Sequence, residues 1–170
     1  MSYGRAIRIG AALALLLIVT TFVVQAFPAL VGADYALTVL SGSMEPAIGT
    51  GSIVFVAETP PEQIDERDVI TYRDDGGNLV THRVVEKHTA ESSLRFETKG
   101  DANENRDPEP VYRGDVVGTV LFSIPFMGYV VSFGNTTTGY VTLVLVPVML
   151  FIFNELWELW KAGTRSEESP

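Results

Sequence analysis

Asp68-Val-Ile-Thr-Tyr-Arg73, Asp74-Asp-Gly-Gly-Asn78 and Leu79-Val-Thr-His-Arg-Val-Val-Glu86 read in succession as strand, turn and strand. The flanks are rich in β-branched and aromatic residues, and the segment between them is built of turn formers, so the stretch predicts a β-hairpin. On either side the same texture continues. Gly51-Ser-Ile-Val-Phe-Val-Ala57, the alternating Ser93-Leu-Arg-Phe-Glu-Thr98 and the apolar Asp115-Val-Val-Gly-Thr-Val-Leu-Phe122 each predict a strand. Pro60–Arg67 and Asn103–Gly114 read as connecting loops. The middle of the chain is therefore expected to be a compact, mainly β unit of residues 34–123.

The ends differ sharply from this centre. No charge separates Arg8 from Asp34, and none separates Asp115 from Glu155. The first interval supplies the roughly 20 apolar residues that an α-helix needs to cross a bilayer, which predicts a membrane helix over 9–33. Arg5 and Arg8 ahead of it favour a cytoplasmic N-terminus, residues 1–8. Val24-Gln25-Ala26 also has the small-residue character of a secretory cleavage site, but the apolar run continues to Val31, which favours an uncleaved anchor. In the second interval, Phe133–Gly139 breaks the run with turn residues. A second span is expected over 137–157, after a membrane-proximal segment 124–136. Trp157 and Trp160 form its aromatic belt, and Lys161 and Arg165 lie in a cytoplasmic tail, 158–170.

Asp34–Ser123 carries 17 acidic and 8 basic residues, a local balance of −9. A nucleic-acid partner would require the opposite sign. Surface carboxylates in this number are compatible with solubility in high salt, as in a halophilic source. The 170-residue chain has no cysteine, which excludes disulfides and thiol chemistry.

Serine hydrolysis needs a hydroxyl, a base within reach of it, a group that orients the base, and donors for the oxyanion. Ser41-Gly-Ser-Met-Glu-Pro46 offers Ser43 as nucleophile and Ser41 as a donor, although the same residues also suit an ordinary turn. His82 and His88 are the only histidines. His82 lies inside an alternating strand and His88 beyond it, with Lys87 and Lys99 as alternative bases. Gly100-Asp-Ala-Asn-Glu-Asn-Arg-Asp107 offers Asp101 or Asp107 as the orienting carboxylate. Its spaced oxygens suggest a calcium loop but lack the EF-hand pattern, so no metal and no cofactor are expected.

Taken in order, Ser-Gly-Ser-Met-Glu-Pro (41–46), Thr-His-Arg-Val-Val-Glu (81–86) and Thr-Lys-Gly-Asp-Ala-Asn-Glu-Asn-Arg-Asp (98–107) resemble the motifs of type I signal peptidases. The resemblance is to the archaeal and endoplasmic-reticulum, Sec11-like branch, in which histidine replaces a lysine base, and it covers roughly residues 10–125. It implies that Ser43 is the nucleophile, His82 the general base, Asp107 the second carboxylate and Asp101 a supporting residue. It also implies that Ser41 helps the Ser43 N–H to form the oxyanion hole. Ala102-Asn103 departs from the family, where two asparagines are common after the aspartate, and so does a second span.

The resemblance further implies a membrane-bound serine endopeptidase that removes N-terminal signal peptides through an acyl-enzyme, with its β-domain on the extracytoplasmic side. Secretory preproteins and membrane lipid are the expected partners, with further subunits left open. An extended substrate is expected to add as a strand beside Ser52–Val56 or Leu79–Val84. Two alternatives stand beside this reading: a non-catalytic, membrane-anchored β-domain, and a related serine protease with a specialised or self substrate.

Overall fold

A computed structural model of the chain describes residues 3–90 and 93–166; the outermost residues of the expected N-terminal and C-terminal cytoplasmic segments, 1–2 and 167–170, lie outside the described residues. Val23–Val130 form one compact unit, and the described parts of Met1–Phe22 and Val131–Pro170 form another.

The first of these units is built on one curled antiparallel sheet of seven strands. They are β1 (Tyr35–Thr38), β2 (Ile53–Ala57), β3 (Val69–Arg73), β4 (Leu79–Ala90), β5 (Ser93–Lys99), β6 (Val111–Tyr112) and β7 (Val116–Ile124), in the spatial order β1-β2-β7-β3-β4-β5-β6. The expected hairpin is β3–β4, with Ile70 opposite His82 and Tyr72 opposite Val80. Its turn is closed by Asp74, whose backbone N–H donates to the Asn78 carbonyl at 3.0 Å and whose Oδ1 accepts the Asn78 N–H at 2.7 Å. The Asn78 side-chain amide, which donates to both Asp74 carboxylate oxygens, and then the Asn78 backbone N–H hold the Asp74 carboxyl below the usual carboxylate range.

Irregularities at Phe55/Val56, Thr71/Tyr72 and Val84/Glu86 interrupt the ladders. Such bulges increase local twist and bend a sheet. Where β7 meets β2 the backbones come very close: a Cβ on Gly118 would lie 2.1 Å from the Ala57 carbonyl oxygen, so only glycine fits. Alternation then decides what is buried. Ile70 and Tyr72, Val84, Leu94 and Phe96 form one apolar cluster with Ile64 and Val111. Met44, Ile48, Val54 and Val56 form a second. Each such fully buried side chain stabilises the fold by about 1.5–3 kcal/mol.

Two expectations need correction here. β1 lies in a stretch read without a strand. Asn103–Gly114 is not wholly loop, because Val111–Tyr112 pairs with Arg95–Phe96. Helix α2 (Met127–Gly134) lies within the segment 124–136.

At the N-terminus, α1 (Tyr3–Ala26) stops short of the expected 9–33. Pro28 disfavours helix in Phe27 and opens a short 3-10 turn that ends at Gly32 in the left-handed region. Near the C-terminus, α3 (Thr137–Tyr140), a π-helical turn (Val141–Leu145) and α4 (Val146–Ser166) run on from one another. Among the described residues, Thr137–Trp157 is the one helical segment long and apolar enough to cross a membrane; the apolar part of α1, Leu15–Ala26, is shorter.

Candidate active site

The Ser41–Pro46 turn follows directly from the β1–β2 pairing. Val39 N–H donates to the Ser52 carbonyl at 2.9 Å and Gly51 N–H to the Val39 carbonyl at 2.8 Å, which extends that pairing almost to the serines. The chain then coils, with Glu45 N–H bonded to the Gly42 carbonyl and Ile48 N–H to that of Met44. Met44 and Ile48 are buried against Val54 and Val56 and pin the turn from beneath. Ser41 is exposed and Ser43 half-buried, and their hydroxyl oxygens are 3.3 Å apart.

Facing them, β4 contributes His82. Strand alternation buries its ring to 8% exposure and sets it edge-on to Tyr72. His82 Nδ1 lies 2.6 Å from Asp107 Oδ2. The same carboxylate oxygen accepts the Thr98 hydroxyl at 2.6 Å and the Tyr72 hydroxyl at 3.2 Å, while the Asp107 N–H donates to the Thr98 carbonyl. Burial pushes the Tyr72 phenol up to about 12, so it stays a donor at any ordinary pH. With Nδ1 facing a carboxylate, the imidazole takes the tautomer that leaves Nε2 basic.

Asp101 is engaged elsewhere. Arg83, next to His82, grips it in a fork: Nε to Oδ1 at 2.8 Å and Nη2 to Oδ2 at 2.7 Å. That guanidinium holds the Asp101 carboxyl below its ordinary range. The loop carrying both aspartates is also fastened to the Ser43 backbone, because Ala102 N–H donates to the Ser43 carbonyl at 2.9 Å. A Cβ on Gly100 would come within 2.6 Å of that carbonyl oxygen, so this approach too requires glycine.

Ser41, Ser43 and His82 line one cleft of about 590 Å³ with Leu37, Val39 and Leu79. Among the described residues, the Ser43 hydroxyl bonds to Ser41 and not to His82. The other base candidates lie elsewhere. His88 Nε2 is 3.0 Å from Glu97, Lys87 Nζ donates to the Glu62 carbonyl at 2.9 Å, and Lys99 sits opposite Arg83 in the ladder, outside the cleft lining.

Among the described residues, the cleft is bordered by two strand edges without a ladder partner. β1 is the terminal strand of the sheet, and residues 79–82 of β4 pair only with β3, because β5 joins β4 from Arg83 onward. Ser52–Val56, by contrast, is covered by β1 and β7 and has no edge to offer, which removes it as a docking strand. Sequence reasoning also missed Thr98 and Tyr72 as partners of Asp107. The alternation of 94, 96 and 98 toward one face was the available signal for Thr98.

No family model matches the chain. Several curated proteins are similar to it. Signal peptidase I W of Bacillus subtilis (strain 168) is 45% identical over 75 residues, which are 44% of this chain and 40% of that protein. Signal peptidase complex catalytic subunit SEC11 of Colletotrichum graminicola is 37% identical over 103 residues, 55% of this chain and 60% of the relative. SEC11 of Candida albicans matches at 37% over 103 residues, 55% of this chain and 61% of the relative. The chain thus spans less than two thirds of the length of these relatives, which are bacterial and fungal.

Proposed function

From this chain's homology to type I signal peptidases of the Sec11-like branch, we propose that it is a membrane-bound serine endopeptidase that removes N-terminal signal peptides from secretory preproteins. The observation that carries the reading is the 2.6 Å contact of Asp107 with His82, whose imidazole lines a cleft that also holds Ser41 and Ser43. His82 Nε2 takes the Ser43 proton as Oγ attacks the scissile carbonyl. The Ser43 N–H and the Ser41 hydroxyl stabilise the oxyanion. The imidazolium, held by Asp107, returns its proton to the departing amine, and the acyl-enzyme is then opened by water activated at the same nitrogen. Asp101 supports the site from behind through Arg83.

The substrate enters as an extended strand between β1 and residues 79–82, satisfying both free edges at once. In this reading residues 9–33 and 137–157 are the membrane spans, residues 34–123 face the extracytoplasmic side, and both ends are cytoplasmic. The −9 balance of that segment is an adaptation to salt, so activity should persist in concentrated salt.

The test is cleavage of a preprotein by the purified full chain in detergent. Ser43→Ala and His82→Ala should each lose on the order of 10⁶-fold in kcat. Full cleavage by Ser43→Ala would sink the mechanism, and loss confined to Lys87→Ala or Lys99→Ala would reassign the base. A non-catalytic β-domain predicts no cleavage by any form.

A further inference from the structure

On the outer face of the β4–β5 hairpin, Glu86 and Glu97 stand directly opposite each other in the ladder. The irregularity at Val84/Glu86 turns Glu86 to this side, away from the face that buries Val84. Like charges so placed repel. Two groups answer them. His88 Nε2 lies 3.0 Å from Glu97 Oε1 and 3.6 Å from Glu86 Oε1. Arg106 Nη1 lies 2.8 Å from Glu86 Oε2 and also bonds Glu97 Oε2. Arg106 and His88 hold the Glu97 carboxyl below the usual range.

Arg106 does not belong to the hairpin. It comes from the loop that crosses it, immediately before Asp107. The two neighbours send their side chains in opposite senses, Arg106 outward to the paired glutamates and Asp107 inward to His82 and Thr98. We propose that Glu86, Glu97 and Arg106 form a clamp whose function is to position Asp107 against His82. The proposal rests on reading His82 and Asp107 as the base and its support. Each ion pair alone, on partly exposed side chains, contributes little; a cation shared by two opposed carboxylates couples them into a network. That network fixes the backbone one residue from the carboxylate that orients the imidazole.

The experiment compares wild type, Arg106→Ala, Arg106→Lys, the double variant Glu86→Gln/Glu97→Gln and Arg113→Ala, each as the full chain in detergent. Arg113 pairs with Glu62 at 2.7 Å on a more exposed surface and serves as the control. Two readouts are taken: kcat and KM for a preprotein, and the downfield proton resonance of the His82 Nδ1–H in the Asp107 hydrogen bond. Arg106→Ala and the double glutamine variant should lower kcat about five- to tenfold with KM unchanged, and should broaden or shift the resonance. Arg106→Lys should restore part of both, and Arg113→Ala should match wild type.

Wild-type resonance and kcat in Arg106→Ala, with only a lowered melting midpoint, would reduce the clamp to a structural ion pair and overturn the proposal. An equal kcat loss in Arg113→Ala would do the same. The resonance needs no substrate, so failure of wild type to cleave preproteins would refute the proposed function and still leave the clamp tested.

Discussion

The Ser43 carbonyl accepts the Ala102 N–H at 2.9 Å, so the turn that bears the hydroxyl is tied by its backbone to the loop that bears Asp101 and Asp107. Ser43 and the two aspartates therefore share one frame, and the junction is tightest at Gly100.

Replacing Gly100 with alanine forces a Cβ to within 2.6 Å of the Ser43 oxygen, a backbone atom that cannot swing aside. The loop must shift. Overpacking of this kind costs about 1–3 kcal/mol, and Gly100→Ala should lower both the melting midpoint and kcat. A variant with wild-type cleavage and midpoint would show that the junction gives without consequence.

Thr98→Val keeps the side chain's shape and removes the hydroxyl that reaches Asp107 at 2.6 Å. A buried acceptor that loses a donor costs about 1–3 kcal/mol. The loss should appear in denaturant unfolding, together with a fall in kcat while KM stays near wild type.

Asp101 gives a pH signature with a definite sign. Its folded-state carboxyl lies below the ordinary value because Arg83 bonds the ionised form. A depressed folded pKa contributes stability that is complete above the unfolded value of about 3.9 and is lost as pH falls through the folded one. The stability difference between wild type and Asp101→Asn should be flat from neutral pH to about 5 and shrink on further acidification. Arg83→Lys, which cannot form the fork, should flatten the same curve. A difference constant down to the lowest pH at which both proteins fold would count against the linkage.

Because the chain has no cysteine, single cysteines can report its topology without background. Glu66→Cys lies in the unit that contains the sheet and is exposed. It should react with a membrane-impermeant maleimide in intact cells. Labelling only after lysis would reverse the proposed orientation.

The hairpin and the strands ending in Thr98 and Phe122 were legible because two-residue periodicity and turn chemistry are local properties. β1 was not, since its four residues are strand-like only by virtue of pairing with β2. The early stop of α1 could be seen in Pro28, but apolarity outweighed it. At the site, the residues alone left Asp101 and Asp107 open as the carboxylate beside His82, and only the family resemblance favoured Asp107; neither could say that Asp101 would turn to Arg83. That division depends on Asp107 lying across from Thr98 in space, a relation between segments that no single segment encodes.

All three side-chain donors that meet Asp107 converge on Oδ2, and among the described residues none is directed to Oδ1. An asparagine at 107 can therefore present its amide oxygen to His82, Thr98 and Tyr72 and place its NH₂ where Oδ1 was, with no partner displaced. Shape and charge become separable at this position. Asp107→Asn keeps the lattice of donors and removes only the anion, so the fraction of kcat it retains measures how much of the aspartate's effect is steric alignment of the imidazole and how much is stabilisation of its positive charge.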